Sequence, residues 1–503
     1  MRKHGFQILL GWLFLATICL LLYFPFSLSH TEKVPSLLIV SFDGFRWDYL
    51  THTPTPHFQD IILKGVHAKK GLHNVFTTST LTNHWSIVTG LYAESHGIID
   101  NEFFDPVINK TYIPLYKNKN AVNDNRFYDT GAEPIWVTNH LQNHNGRSGS
   151  VMWWGAENVI KGVRPTYHMP YDLNVDEKSK IDTIIQWFTS EYPINLGLLY
   201  FSEPDHSAHK YGPDSWNVTQ KIAEADELTG YLIDQLNKRD LLDDINIIIT
   251  SDHGFAAVSR DRLIFLDEYV DPKWYHMVHY SPVATIIPHE GKEEMIYQQL
   301  LHASKDNHFQ VYKKADIPVR LHYKNNRRVT PIVAVADITY SFISNMSADK
   351  FVLAGSHGYD NKYTDMRPFF MARGPSFQEN FAVDSFSSLD LYPLMCHLLH
   401  LEPAPNNGSL AIVKQLLVEP SENSGWTFST YIVCLILISC VGGLFSVGAC
   451  RQHRYLRRRL NQLRSVSALA PDKVNILKPE HSTHVPLLFG EEDDDDGELE
   501  DDF

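Results

Sequence analysis

The sequence predicts an α/β fold with a mostly parallel central sheet, followed by one C-terminal transmembrane helix. Three observations carry this expectation. Residues 35–415 alternate apolar, strand-like runs with amphipathic stretches. The runs SLLIVSF, NLGLLYF and INIIIT are nearly continuous in Ile, Leu and Val, as in strands buried on both faces. Residues 426–450, WTFSTYIVCLILISCVGGLFSVGAC, are long enough to span a bilayer and precede the basic flank RQHRYLRRR.

In chain order, residues 5–29 form a hydrophobic stretch behind Arg2 and Lys3 that ends in Ser27-Leu28-Ser29. Residues 1–29 therefore read as a signal peptide, or as an uncleaved signal anchor. Residues 30–415 are expected to form the extracellular domain, 416–425 a juxtamembrane stalk, 426–450 the span and 451–503 a cytosolic tail. That arrangement is a single-pass type I protein of the plasma membrane, with unidentified partners for its tail. The formal charge of −15 over 503 residues is misleading, because ten carboxylates lie in the last thirteen residues, EEDDDDGELEDDF. That end reads as a solvated, disordered segment. The body is only mildly acidic and has no basic stripe, which argues against nucleic-acid binding. Of five cysteines, Cys19, Cys434, Cys440 and Cys450 lie in or beside the hydrophobic segments, leaving Cys396 alone in the large domain. Packing rather than disulfides must then supply its stability. Asn109, Asn217, Asn345 and Asn407 each open an N-x-Ser/Thr sequon, suiting a glycosylated surface.

The strand-like runs end in chemistry. Asp43 follows the first, Asp205 and His209 the second, and Asp252 and His253 the third, while GSHGYDN supplies His357. Taken singly, each has an ordinary explanation: an Asp capping a turn, or a His satisfied in the core. Together they converge, because open α/β sheets gather ligands beyond the carboxyl ends of their strands. Several carboxylates at one buried edge are costly unless cations neutralise them, and three Asp with three His suit two zinc-like ions. Thr80, in NVFTTSTLTNH, falls at or just before a predicted helix start. There it is either an N-cap or a nucleophile beside N–H groups that suit a phosphoryl group.

The ordered set VSFDGFRWDYL, T-x-x-NH-x-SIVTGLY-x-ESHGIIDN, EPD-x-x-x-HKYGP, ITSDHG and HGYDN resembles the ectonucleotide pyrophosphatase/phosphodiesterase family of the alkaline phosphatase superfamily over residues 35–415. LGLLY, MPY and VYKK are most similar to its short type I members, the fifth first and the fourth next. The resemblance implies an alkaline-phosphatase-like α/β/α sandwich with two zinc ions. Asp205, His209 and His357 would hold one; Asp43, Asp252, His253 and the Thr80 hydroxyl would hold the other. Thr80 would be the catalytic nucleophile, and Asn101 would hold a phosphate oxygen. Tyr171, Tyr200 and Trp153 would line a nucleotide pocket. The implied reaction is hydrolysis of phosphodiester or pyrophosphate bonds in extracellular nucleotides (NAD, dinucleotides, nucleotide sugars), through a threonyl-phosphoryl intermediate that releases nucleoside 5′-monophosphates. A choline-phosphate diesterase and a catalytically weak cell-surface binding domain are the alternatives. The sequence departs from the family at Ser79 (usually Lys), Leu81 (often Phe or Tyr) and Thr82 (usually Pro). Trp154 replaces a Pro and Ala208 a Gly, while Val258 and Gln415 stand where short members tend to carry Cys. None of these changes removes a metal ligand or the nucleophile; they bear on substrate preference and rate.

Overall fold

The computed structural model describes residues 35–114, 124–143, 146–344, 353–419 and 428–467. The expected signal segment, the sequon at Asn345 and the acidic end lie outside the described residues. Two compact units divide between Glu419 and Pro420.

The first unit is built on an eight-stranded sheet: β1 (Ser36–Phe42), β2 (Gly65–Ala68), β3 (Ser148–Val151), β4 (Tyr167–Met169), β5 (Leu196–Phe201), β6 (Ile245–Thr250), β7 (Phe370–Arg373) and β8 (Phe381–Val383). The spatial order is β8-β2-β7-β6-β1-β5-β3-β4. The three apolar runs are the centre, β5-β1-β6, paired in parallel with Val40 opposite both Leu199 and Ile249. Leu37 to Ile39 and Ile247 to Ile249 are fully buried, as strands covered on both faces require. β7 pairs antiparallel with both β6 and β2, so the sheet is mixed rather than purely parallel. Helices Pro56–Leu63, Glu177–Phe188, Trp216–Asn237 and Leu391–Leu398 bury their apolar residues in the same core. Cys396 is buried on the last of these helices and unpaired.

A second sheet, Tyr275–His279, Val283–Pro288, Ile332–Ala336 and Phe309–Lys313 in that order, is wholly antiparallel and has its own core around Ile286, Leu300, Phe309 and Ala334.

The transmembrane helix expected over 426–450 is a correction. Among the described residues no helix is long and apolar enough to cross a membrane. From Phe428 the segment belongs to a helix, Phe428–Ser467, that runs without a break into Arg451, Arg454, Arg457, Arg458, Arg459 and Arg464, so its apolar and basic stretches form one element.

Candidate metal centre

The site forms where β5, β1 and β6 end. Asp43 follows β1, and its backbone N–H donates to Phe201 O at the end of β5. Asp205 opens the helix Asp205–Tyr211, whose next turn presents His209. Asp252 and His253 follow β6 after Ser251, and His357 sits just after the short strand Gly355–Ser356. Register therefore brings together side chains from four distant segments. His253 Nε2 lies 3.1 Å from Asp252 Oδ2, 3.4 Å from Asp43 Oδ1 and 4.0 Å from Asp205 Oδ1. Asp205 Oδ1 is also 3.5 Å from His357 Nε2 and 3.6 Å from His209 Nε2. Two ligand clusters emerge, Asp43–Asp252–His253 and Asp205–His253–His357, with His209 against the second.

The chemistry of these donors fits cations. Each histidine donates Nδ1–H to a backbone carbonyl: His209 to Gly355 (3.0 Å), His253 to Gly254 (2.9 Å) and His357 to Thr78 (3.0 Å). Carbonyls only accept, so each neutral ring turns the Nε2 lone pair toward the carboxylates. Burial favours that neutral form, pushing the His209 imidazole down to about 4 and those of His253 and His357 below their usual range. The facing oxygens, Asp43 Oδ1, Asp205 Oδ1 and Asp252 Oδ2, are buried and accept no hydrogen bond. Lone pairs facing lone pairs at these distances are repulsive until a cation lies between them. Burial, then repulsion from Asp252, lifts the Asp43 and Asp205 carboxyls well above the usual carboxylate range. Asp252 is buried too, yet the His84 ring and the Gly44 N–H beside it hold its carboxyl low. The residues present thus suit divalent ions.

Thr80 begins the helix Thr80–Thr89, with Ser79 as its extended N-cap residue. The Thr80 Oγ1 is 3.3 Å from His253 Nε2, which places the hydroxyl on the Asp43–Asp252–His253 cluster. Asn83 fixes the approach to this turn: its Oδ1 accepts Val75 N–H, and its Nδ2 donates to the carbonyls of Thr77 and Ser79. Asn101 Oδ1 accepts the Leu81 N–H at 2.9 Å, which leaves its Nδ2 as a donor.

The aromatic residues divide in two. Tyr200 donates its hydroxyl to Asp43 Oδ2 and meets Tyr171 at 6.3 Å between ring centroids. Trp154 packs at 4.8 Å on Tyr171 and edge-on to Tyr200. Trp153 lies behind the site, 1% exposed and edge-on to His84. Leu81 is 3% exposed and packs in the main core. Among the sequons, Asn109 and Asn407 are exposed and Asn217 is half-buried.

Sequence reasoning did not single out His84. Its Nδ1 is 2.8 Å from Thr80 O and 3.3 Å from Asp252 Oδ2, and its Nε2 meets Ser41 Oγ at 2.9 Å. The T-x-x-N-H spacing held the signal, since it puts His84 one turn after Thr80 on the same helix face.

A family model described as "Type I phosphodiesterase / nucleotide pyrophosphatase" matches residues 37–360. The chain belongs to this family. Human ectonucleotide pyrophosphatase/phosphodiesterase family member 5 is 47% identical over 392 residues, covering 78% of this chain and 80% of that protein. Bovine bis(5′-adenosyl)-triphosphatase ENPP4 is 42% identical over 393 residues, covering 78% of this chain and 84% of that protein. A solved structure of murine member 5, described as inactive through a threonine-to-alanine change and in complex with AMP, superposes with a TM-score of 0.73 at 45% identity. It matches 76% of this chain and 100% of that one. The family resemblance read from the sequence, to member five and then member four, is borne out. The phosphodiesterase is thus a hydrolase of this class, and its relatives' names are consistent with action outside the cell.

Proposed function

We propose that this phosphodiesterase is an extracellular, zinc-dependent hydrolase of nucleotide phosphodiester and pyrophosphate bonds that releases nucleoside 5′-monophosphates. NAD, dinucleotides and nucleotide sugars are its substrate class. The observation that carries the reading is Thr80 Oγ1 at a helix N-terminus, 3.3 Å from His253 Nε2 in a cluster of unpartnered carboxylate oxygens. The naming of relatives as pyrophosphatases and triphosphatases, and the AMP complex of the murine relative, support the substrate class.

Asp205, His209 and His357 would hold one ion, and Asp43, Asp252, His253 and Thr80 Oγ1 the other. Bound there, the ions would supply Lewis acidity, lowering the pKa of a hydroxyl or water and offsetting phosphoryl charge. Thr80 Oγ attacks phosphorus in line, forms the Thr80 O–P bond and expels the leaving group with the bridging oxygen. Asn101 Nδ2 donates to a non-bridging oxygen as charge builds there. The first N–H groups of the helix Thr80–Thr89 add positive potential at the same place. Water then breaks the Thr80 O–P bond, returning the hydroxyl and freeing the monophosphate. Tyr200 holds Asp43 through its hydroxyl and, with Tyr171 and Trp154, forms the aromatic wall beside it.

The test uses the purified full chain on NAD and on an aryl nucleotide ester, with and without a zinc chelator. Release of nucleoside 5′-monophosphate that stops on chelation and returns with zinc is the expected result. Turnover indifferent to chelation, or release of inorganic phosphate as first product, would overturn the reading.

A further inference from the structure

We propose that Asp100 is a positioning residue that sets the distance between Thr80 and Asn101; this rests on the function proposed above. The carboxylate is 2% exposed, and its Oδ1 accepts both the Ser79 hydroxyl and the Asn101 N–H, each at 2.7 Å. Asn101 in turn accepts the Leu81 N–H through Oδ1 at 2.9 Å. Residues 79 and 81 are therefore gripped by residues 100 and 101, with the nucleophile between the two rungs. The second rung also decides chemistry: with Oδ1 committed, Asn101 makes no other side-chain hydrogen bond to the described protein and presents Nδ2 to the substrate.

The clamp is anchored on both sides. Thr77 Oγ1 donates to Ile99 O at 3.0 Å, and Arg328 donates to Gly97 O at 2.6 Å. From the second sheet, His279 brings Nδ1 to 3.5 Å from Asp100 Oδ2. Ser79 thus acquires a purpose in this chain, because a short hydroxyl reaches the carboxylate within a buried turn that has little room. Ser79 is 3% exposed, and a Cβ on Gly358 would lie 3.5 Å from its Oγ.

A displacement of about 1 Å between reacting groups costs on the order of 10²-fold in rate, and loss of one aligned donor costs about 10²–10³-fold. The full chain, loaded with zinc, is assayed on an aryl nucleotide ester as wild type, Asp100→Ala, Asp100→Asn, Asn101→Ala and the double variant Asp100→Ala/Asn101→Ala. Asp100→Ala is expected to lower kcat about 100-fold, with KM and zinc content near wild type. Asp100→Asn recovers most of that loss, since an amide oxygen accepts the same two hydrogen bonds. In the Asn101→Ala background the Asp100→Ala change costs less than about 3-fold, because a group acting through Asn101 has nothing left to position. Additive losses in the double variant, or Asp100→Asn as slow as Asp100→Ala, overturn the proposal. Unchanged kcat overturns it as well. Ser79→Ala, which cuts one rung and spares the carboxylate, covers the case in which Asp100→Ala fails to fold. It should slow kcat several-fold at constant KM, and a wild-type kcat counts against the clamp. Full activity in Thr80→Ala would instead sink the proposed reaction itself, whatever Asp100 does.

Discussion

His84→Ala separates the metal centre from the core behind it. His84 is fully buried, and its Nδ1–H sits between Thr80 O at 2.8 Å and Asp252 Oδ2 at 3.3 Å. Asp252 Oδ1 keeps the Gly44 N–H and the Ser251 hydroxyl when the ring is removed, but Oδ2 then faces only His253. Loss of a partner that orients a metal ligand costs 10- to 100-fold in metal affinity, or about 1.4–2.8 kcal/mol at 1.4 kcal/mol per tenfold. The ring also packs edge-on to Trp153 at 5.1 Å and to Tyr200 at 5.3 Å. Its deletion therefore leaves a cavity and an unpaired Ser41 hydroxyl, together about 2–4 kcal/mol of stability. Competition against a zinc chelator reads the first loss and the urea midpoint reads the second. Ser41→Ala is the control: it cuts only the far hydrogen bond, for about 1 kcal/mol of stability and little zinc affinity. Equal zinc affinities for His84→Ala and wild type, or for His84→Ala and Ser41→Ala, would refute the reasoning.

Two further predictions concern buried charge away from the candidate metal centre. Asp105 is inaccessible and bonds both Arg328, which is 1% exposed, and Arg327, which is 48% exposed. Asp105→Ala strands the Arg328 cation and should cost about 3–5 kcal/mol, whereas Arg327→Ala should cost under about 1 kcal/mol; urea denaturation decides, and equal losses would contradict the difference in burial. Burial pushes the Glu157 carboxyl up from 4.5 to about 7, and its Oε1 has no hydrogen-bond partner. With the folded pKa above the unfolded one, stability is complete below the unfolded value of 4.5 and falls as pH rises from 4.5 toward 7. The loss is of order 3 kcal/mol at 1.36 kcal/mol per unit, and Glu157→Gln should flatten that slope in denaturation series between those two pH values.

The parts of the fold that could be read directly were those with one physical signature. Strands β1, β5 and β6 are buried on both faces, so they appear as unbroken apolar runs, and the first acidic residue of the cluster follows each run within four residues. β7 gave no such sign: Phe370–Arg373 is four residues long, and its antiparallel direction depends on partners 120 residues or more away. The second sheet was equally quiet, because its edge strands Tyr275–His279 and Phe309–Lys313 are only partly buried and carry weaker patterns. His84 stood out only after folding, which brings Asp252 to 3.3 Å from its ring. Trp153 and Trp154 are adjacent in sequence, yet Trp153 packs on His84 while Trp154 joins Tyr171 and Tyr200, a split that sequence spacing does not reveal. The helix from Phe428 carries an apolar stretch and a basic one in a single element, where the sequence reading placed a span and a separate basic flank.

The most direct measurement is single-turnover cleavage of an aryl nucleotide ester by zinc-loaded Thr80→Ala and Thr80→Ser. If Thr80 Oγ forms the bond to phosphorus, Thr80→Ala loses at least about 10³-fold in the chemical step, while Thr80→Ser keeps measurable turnover and traps phosphoryl on residue 80 after a rapid acid quench. Wild-type cleavage by Thr80→Ala, or a wild-type quench with no label on Thr80, would contradict nucleophilic catalysis at this site.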